Sequence, residues 1–151
     1  MRKFLTMAAC AVWPLMGGAG QAVACSTPMG AQGIESALLG WINAERDKKG
    51  LAALAPTSTL QDAAGRHACA LARQGKLSHR NFAQRIHGAG FGIGVENVAM
   101  STEASAAAAA RIWKRSGGHW ANILNRDVRQ IGLATATADG RTYYVLMAGA
   151  P

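Results

Sequence analysis

Arg129-Gln130-Ile131-Gly132-Leu133-Ala134-Thr135-Ala136-Thr137 and Thr142-Tyr143-Tyr144-Val145-Leu146-Met147-Ala148 stand on either side of Ala138-Asp139-Gly140. Both runs carry β-branched and aromatic residues, and Asp-Gly between such runs signals a tight hairpin. The end of the chain is therefore read as two antiparallel strands. Tyr143 and Tyr144 alternate on the second, so only one of them is expected to face a core.

Upstream the pattern is helical. Ile34, Leu38, Trp41 and Ile42 recur at three- to four-residue spacing and predict a first helix from about Ile34 to Lys49. Gly50 stops it, with Lys48 and Lys49 in the last turn, where cations suit the helix dipole. Thr57 or Ser58 caps a second helix running to about Gly75, with Leu60, Ala64, His67 and Leu71 as its buried stripe. Cys69 falls on the opposite side of that helix. The chain after Gly75 reads as irregular, with Gly88, Gly90, Gly92 and Gly94 at alternate positions. Such permissive backbone suits a loop that folds against a site. Gly94–Ala99 reads as a short strand. A third helix is expected from Ser101 or Thr102 to Ser116, and a helical turn near His119–Leu124. Helices first and antiparallel strands last make the class α+β, with helices covering a small antiparallel sheet.

The front of the chain has another character. Met1-Arg2-Lys3 is positive, Phe4 to Met16 is an apolar run, and Ala22-Val23-Ala24 offers small residues before a cut. This is the order of a secretory signal peptide, expected over residues 1–24. The alternative is an N-terminal helix kept in the fold. The apolar run is shorter than the roughly 20 residues a transmembrane helix needs, and no later stretch is a candidate. The expected location is outside the cytoplasm: periplasmic, anchored to the outer membrane, or secreted. Residues 25–33 read as a flexible lead-in.

Removal of residues 1–24 makes Cys25 the first residue. Cys25 then carries lipid, pairs with Cys69, or stays free. In an oxidising compartment the pair Cys25–Cys69 is favoured. Ala22, where a bulkier residue is usual, argues against a lipid anchor. Loss of Arg2 and Lys3 lowers the formal net charge from +8 to +6. The remaining positive charge is scattered along one domain-sized chain, expected to be monomeric. It favours solubility and loose attraction to anionic envelope surfaces, and argues against a nucleic-acid partner.

Polar groups fit for chemistry lie in three segments: Ser78-His79-Arg80, Glu96-Asn97, and Ser116-Gly117-Gly118-His119. Two imidazoles and a carboxylate can hold Zn²⁺ with an open position for water, or serve as acid and base. No two of them stand at i, i+4, so the spacing is no metal motif by itself. A buried Glu96 between His79 and His119 would also tie three elements together. Ser116 followed by His119 is a poor nucleophile and base, with no oxyanion site and no G-x-S-x-G; a cap or hydrogen-bonding role at the edge of the site is expected. His67 reads as a satisfied core histidine and His87 as a surface one. Asn43 and Arg46 read as hydrogen-bonders to loop backbone, and Asn97 as fixing the loop after Glu96. Trp41, Trp113 and Trp120 read as core or wall.

The order Asn43, Arg46, Gly50-Leu51, Leu54, Leu60, Ala64, His67-Ala68, Ser78-His79, Arg85-Ile86, Gly90, Glu96-Asn97, Trp113, Ser116, His119, Asn122-Ile123-Leu124, Ile131-Gly132 and Tyr143-Tyr144 resembles a stand-alone bacterial domain of the CAP superfamily (cysteine-rich secretory proteins, antigen 5 and pathogenesis-related proteins; also called SCP or PR-1-like). The resemblance covers nearly all of the chain after residue 24 and implies one domain over 34–151. It implies a three-layer α-β-α sandwich with one shallow cleft. It places His79, Glu96 and His119 on three of the four polar cleft positions of better-known members, with Ser116 where a second glutamate stands. The ligand-binding set expected is His79, Glu96, Asn97, Ser116 and His119, with His79 and His119 as the metal candidates. Zn²⁺ is a candidate cofactor, although none is required. The family has no single shared reaction, so the resemblance implies a non-enzymatic domain binding a small ligand, a lipid or an envelope component. The alternatives are a Zn²⁺-dependent or acid/base hydrolase using His79, Glu96 and His119, and a structural envelope protein whose polar cluster only stabilises the fold.

Overall fold

A computed structural model describes residues 25–151; the leader expected over residues 1–24 lies outside the described residues. Five helices and four strands follow in the order α1 (Ala31–Asp47), β1 (Ala55–Pro56), α2 (Ser58–Gln74), α3 (Phe82–Gly88), β2 (Ile93–Ser101), α4 (Ala106–Arg115), α5 (Gly117–Ile123), β3 (Gln130–Ala138) and β4 (Arg141–Ala150). The strands form one sheet in the order β1-β3-β4-β2, with β1 parallel to β3 and the other pairs antiparallel.

The hairpin is the one the sequence specifies. Ala138 pairs with Arg141, and Asp139 and Gly140 between them have φ of 49° and 70°. Two central residues with positive φ make a type I′ turn, whose twist matches that of the strands.

Period-2 alternation along β4 builds two cores rather than one. Tyr143, Val145 and Met147 join Leu60, Leu71 and Ile86 under α2 and α3. Tyr144, Leu146 and Ala148 join Leu38, Ile42, Trp113 and Ile123 under α1, α4 and α5. Both tyrosines are buried, which corrects the expectation that one would face outward. The alternation was right, but helices cover both faces of the sheet. The result is the three-layer α-β-α sandwich. Gly132 lets α2 come down onto it: a Cβ there would stand 2.1 Å from the backbone carbon of Leu60.

Several boundaries differ from the sequence reading, each for a local reason. Helix α1 starts at Ala31 because Gly30, in the left-handed region at φ 76°, turns the chain into it. Residues 25–30, read as flexible, are tied down: Cys25 is bonded to Cys69, with Cα atoms 5.4 Å apart, and Ser26 pairs with Thr137. A sulfur in a disulfide carries no lipid, so of the three fates for Cys25 the structure holds the disulfide. Helix α3 lies in the stretch read as irregular; it is seven residues long and buries only Ile86, too little apolar surface for a periodic signal. Strand β2 runs on to Ser101, paired with Thr142, so α4 waits for Ser105, whose hydroxyl accepts from Ala108 N. No described helix is long and apolar enough to cross a membrane.

Candidate functional site

Strand β2 is an edge strand, and its alternation divides the polar residues between the two faces. Glu96 points the same way as Val98, toward α2 and α3; Asn97 points the same way as Ala99, toward α4 and α5.

On the first face the Glu96 side chain is 1% exposed and fully engaged. Arg85 of α3 meets it side-on, with Nη2 2.7 Å from Oε2 and 2.9 Å from Oε1, and Nε 3.2 Å from Oε2. His79 Nδ1 donates to Oε1 at 2.9 Å. A carboxylate only accepts, so this bond fixes the imidazole with its proton on Nδ1 and leaves Nε2 free. The His79 side chain is 54% exposed. His67 of α2 closes the group from below: its Nε2 donates to Ser78 O at 2.9 Å and stands 3.7 Å from Glu96 Oε1. Burial, more than any other influence, holds the His67 imidazole below its usual range, against the pull of Glu96.

On the second face Asn97 Nδ2 donates to His119 O at 2.9 Å. Asn122 Nδ2 donates to Asn97 Oδ1 at 2.9 Å and to Glu96 O at 3.2 Å. Ser116 is the N-cap of α5, its hydroxyl accepting from His119 N at 3.4 Å. Arg46, fully buried in α1, donates to Ile123 O and Asn125 O at 2.8 Å and to Ala52 O, which anchors the far end of α5. Asn43 holds Leu54 through both its backbone groups. The His119 ring is half-buried, and its Nδ1 is buried without a partner among the described residues. Burial, and then the neighbouring His79, hold its imidazole below the usual range.

The expected cluster therefore has a different shape. Glu96 does not lie between the two histidines; it orients His79 alone, while Asn97 and Ser116 orient His119 through its backbone. Asn97 fixes α5, not the loop after Glu96. Arg85 and His67 are the participants that sequence reasoning missed. Arg85 sat in the ordered set without a role, and the one signal for it was a basic residue in a short segment near a buried acid. His67 was read as core, and it is core; it is also a wall of the Glu96 site. Cavities of about 330 and 270 Å³ flank His67 and Arg85, and neither is lined by His79 or His119. Trp113 is fully buried, whereas Trp41 and Trp120 pair at 6.2 Å in the seam beside His119, with Lys114 Nζ 5.5 Å above Trp120. His87 is exposed and donates to Phe91 O.

The profile of the CAP family, described as the cysteine-rich secretory protein family, matches residues 39–148. The chain belongs to the CAP family. No match was found among curated proteins. Among solved structures, the domain is similar to an extracellular SCP-domain protein from Bacillus anthracis at a TM-score of 0.71 and 22% identity, covering 80% of this chain and 41% of that one. It is similar to an outer surface protein from Borrelia burgdorferi at 0.69 and 26%, covering 76% and 90%. It is also similar to NaASP2, solved with Zn²⁺, at 0.62 and 16%, covering 82% and 84%. These likenesses establish the α+β CAP fold.

Proposed function

We propose that this CAP domain is exported and binds through the rim where His79 and His119 approach each other, without catalysing a reaction. The observation that carries the reading is the saturation of Glu96. Its carboxylate takes hydrogen bonds from Arg85 and His79 on both oxygens. A carboxylate held this way is a poor general base, and Ser116, spent as a cap, is a poor nucleophile. What the arrangement does is point one imidazole outward in a fixed tautomer.

A carboxylate behind one imidazole nitrogen is the usual support for a metal ligand at the other. His79 and His119 are the residues that would hold Zn²⁺. The fit is partial: among the described residues no three His, Cys, Asp or Glu side chains gather as a ligand set. Zn²⁺ here would take its other ligands from water or from a bound molecule, and would offer a positive anchor for an envelope carboxylate or phosphate. That NaASP2 was solved with Zn²⁺ supports the choice of probe. Export is supported by the leader pattern of residues 1–24, by the Cys25–Cys69 disulfide, and by the extracellular and outer-surface descriptions of two structural relatives.

Calorimetric titration with Zn²⁺ tests the reading. The wild type binds, and His79→Ala and His119→Ala each weaken binding by about tenfold or more. No binding by the wild type, or wild-type affinity in either variant, sinks it.

A further inference from the structure

A cavity of about 390 Å³ lies between α1 and α2, over the outer edge of β3. Gln32, Glu35, Leu39, Pro56, Gln61 and Leu133 line it, and none of its residues belongs to the Glu96 cluster. It is larger than either cavity beside His67.

The cavity exists because β1 is only two residues long. It covers Gln130 and Ile131 and stops. Further along, Ser26 covers Thr137. Between these points the odd-numbered residues of β3 turn their backbone groups to an edge that no strand meets. Two side chains stand in for the missing strand. Gln61 Oε1 accepts from Leu133 N at 3.0 Å. Glu35 Oε1 accepts from Thr135 N at 3.0 Å and from Thr135 Oγ1 at 3.2 Å. Gln61 Nε2 then donates to Glu35 Oε2 at 3.1 Å.

These bonds consume the edge donors. What is left is a set of acceptors: the Leu133 and Thr135 carbonyls, which share the direction of their N–H groups and enter no described hydrogen bond, and the carboxylate itself. Capping Thr135 does not need a charge, since a neutral amide oxygen would accept equally. Yet Glu35 is charged, half-buried, and absent from every described ion pair, in a chain with 16 basic and 8 acidic residues. Burial pushes its carboxyl above the usual range, and its hydrogen bonds offset only part of that. An uncompensated, partly buried carboxylate is unfavourable unless something brings it a positive charge.

We propose that this cavity binds a small aliphatic cation, a primary ammonium group seated against Glu35 and the Leu133 carbonyl with its alkyl chain along Leu39, Pro56 and Ile131. An ammonium carries three donors and no acceptor, which suits the free acceptors at this strand edge, the Leu133 carbonyl and the Glu35 carboxylate. The volume lies at the small end of ligand pockets, which span roughly 300–1,000 Å³.

The probe is n-pentylammonium, added to the disulfide-bonded protein at neutral pH, with backbone amide shifts and calorimetry as readouts. Saturable binding is expected, with shifts centred on Glu35, Gln61, Leu133 and Thr135 and none at His79 or His119. Glu35→Gln weakens it by about tenfold or more, as befits loss of a charge-assisted bond. Leu39→Trp, which fills the cavity and keeps the charge, abolishes it. Neutral n-pentanol binds far more weakly than the ammonium to the wild type. The proposal is overturned by absence of saturable binding, by equal affinity of Glu35→Gln, by equal affinity for pentanol, or by binding of a lysine-bearing peptide alone. Absence of binding would leave Glu35 and Gln61 as edge caps that keep β3 from pairing with another chain. Neither outcome bears on Zn²⁺ at His79.

Discussion

Arg85 holds both oxygens of Glu96, with Nη2 2.7 Å from Oε2 and 2.9 Å from Oε1. The acid comes from an edge strand and the base from a seven-residue helix, so this pair joins α3 to the sheet. Removing the guanidinium leaves a buried carboxylate with only histidines for company. Arg85→Ala should cost about 3 kcal/mol, the scale for breaking a buried pair on one side. Glu96→Gln should cost less, because the charge leaves with the acid. Urea unfolding of the two variants checks this; the reverse order would mean the pair is not what stabilises α3.

Acid should weaken the fold through His67. Its folded pKa is depressed by burial, so the neutral ring is the one the fold prefers. The stability it contributes is present above the ordinary value of about 6.5 and is lost as pH falls through the lower folded value. In chelator-treated protein, Tm should fall between about pH 7 and pH 5. His67→Gln, whose amide can still donate to Ser78 O, should show a shallower fall. Equal slopes for the two proteins would contradict the assignment.

The Cys25–Cys69 bond closes 44 residues of chain. Loop-closure entropy gives it about 4 kcal/mol of stabilisation. Reduction of the disulfide-bonded protein should lower its urea midpoint accordingly, and a mass shift of two hydrogens should accompany it. An unchanged midpoint would mean the bond constrains little.

Gly132→Ala should cost about 3 kcal/mol or prevent folding, because its methyl would meet the backbone of α2 at Leu60. The helix cannot yield without lifting Leu60 out of the core. A near-neutral thermal melt would show that α2 sits farther from β3.

Much of this was legible in the chain and some was not, for identifiable reasons. The hairpin was legible because Asp139-Gly140 carries its own turn chemistry. Helices α1 and α2 were legible because each buries a long stripe. The second core came only with the family resemblance, because alternation says which residues share a face but not whether the opposite face is covered. Helix α3 buries one side chain and leaves no period to read. His79, Glu96, Asn97, Ser116 and His119 stood out in the chain as candidates, but their division across β2 went undrawn. That division follows from Glu96 and Asn97 being adjacent on a strand, and could have been inferred from period 2 alone. Glu35 and Gln61 gave no signal, since their role depends on β1 ending at Pro56.

The central claim is that His79 is a ligand group oriented by Glu96, with His119 as its companion across the edge of β2. Long-range ¹⁵N correlation of the imidazole nitrogens, recorded as Zn²⁺ is added, tests it most directly. The account predicts that His79 Nε2 and one nitrogen of His119 shift together while His79 Nδ1 keeps its proton on Glu96. Zn²⁺ shifts confined to other histidines, or loss of the Nδ1 proton from His79, would contradict it.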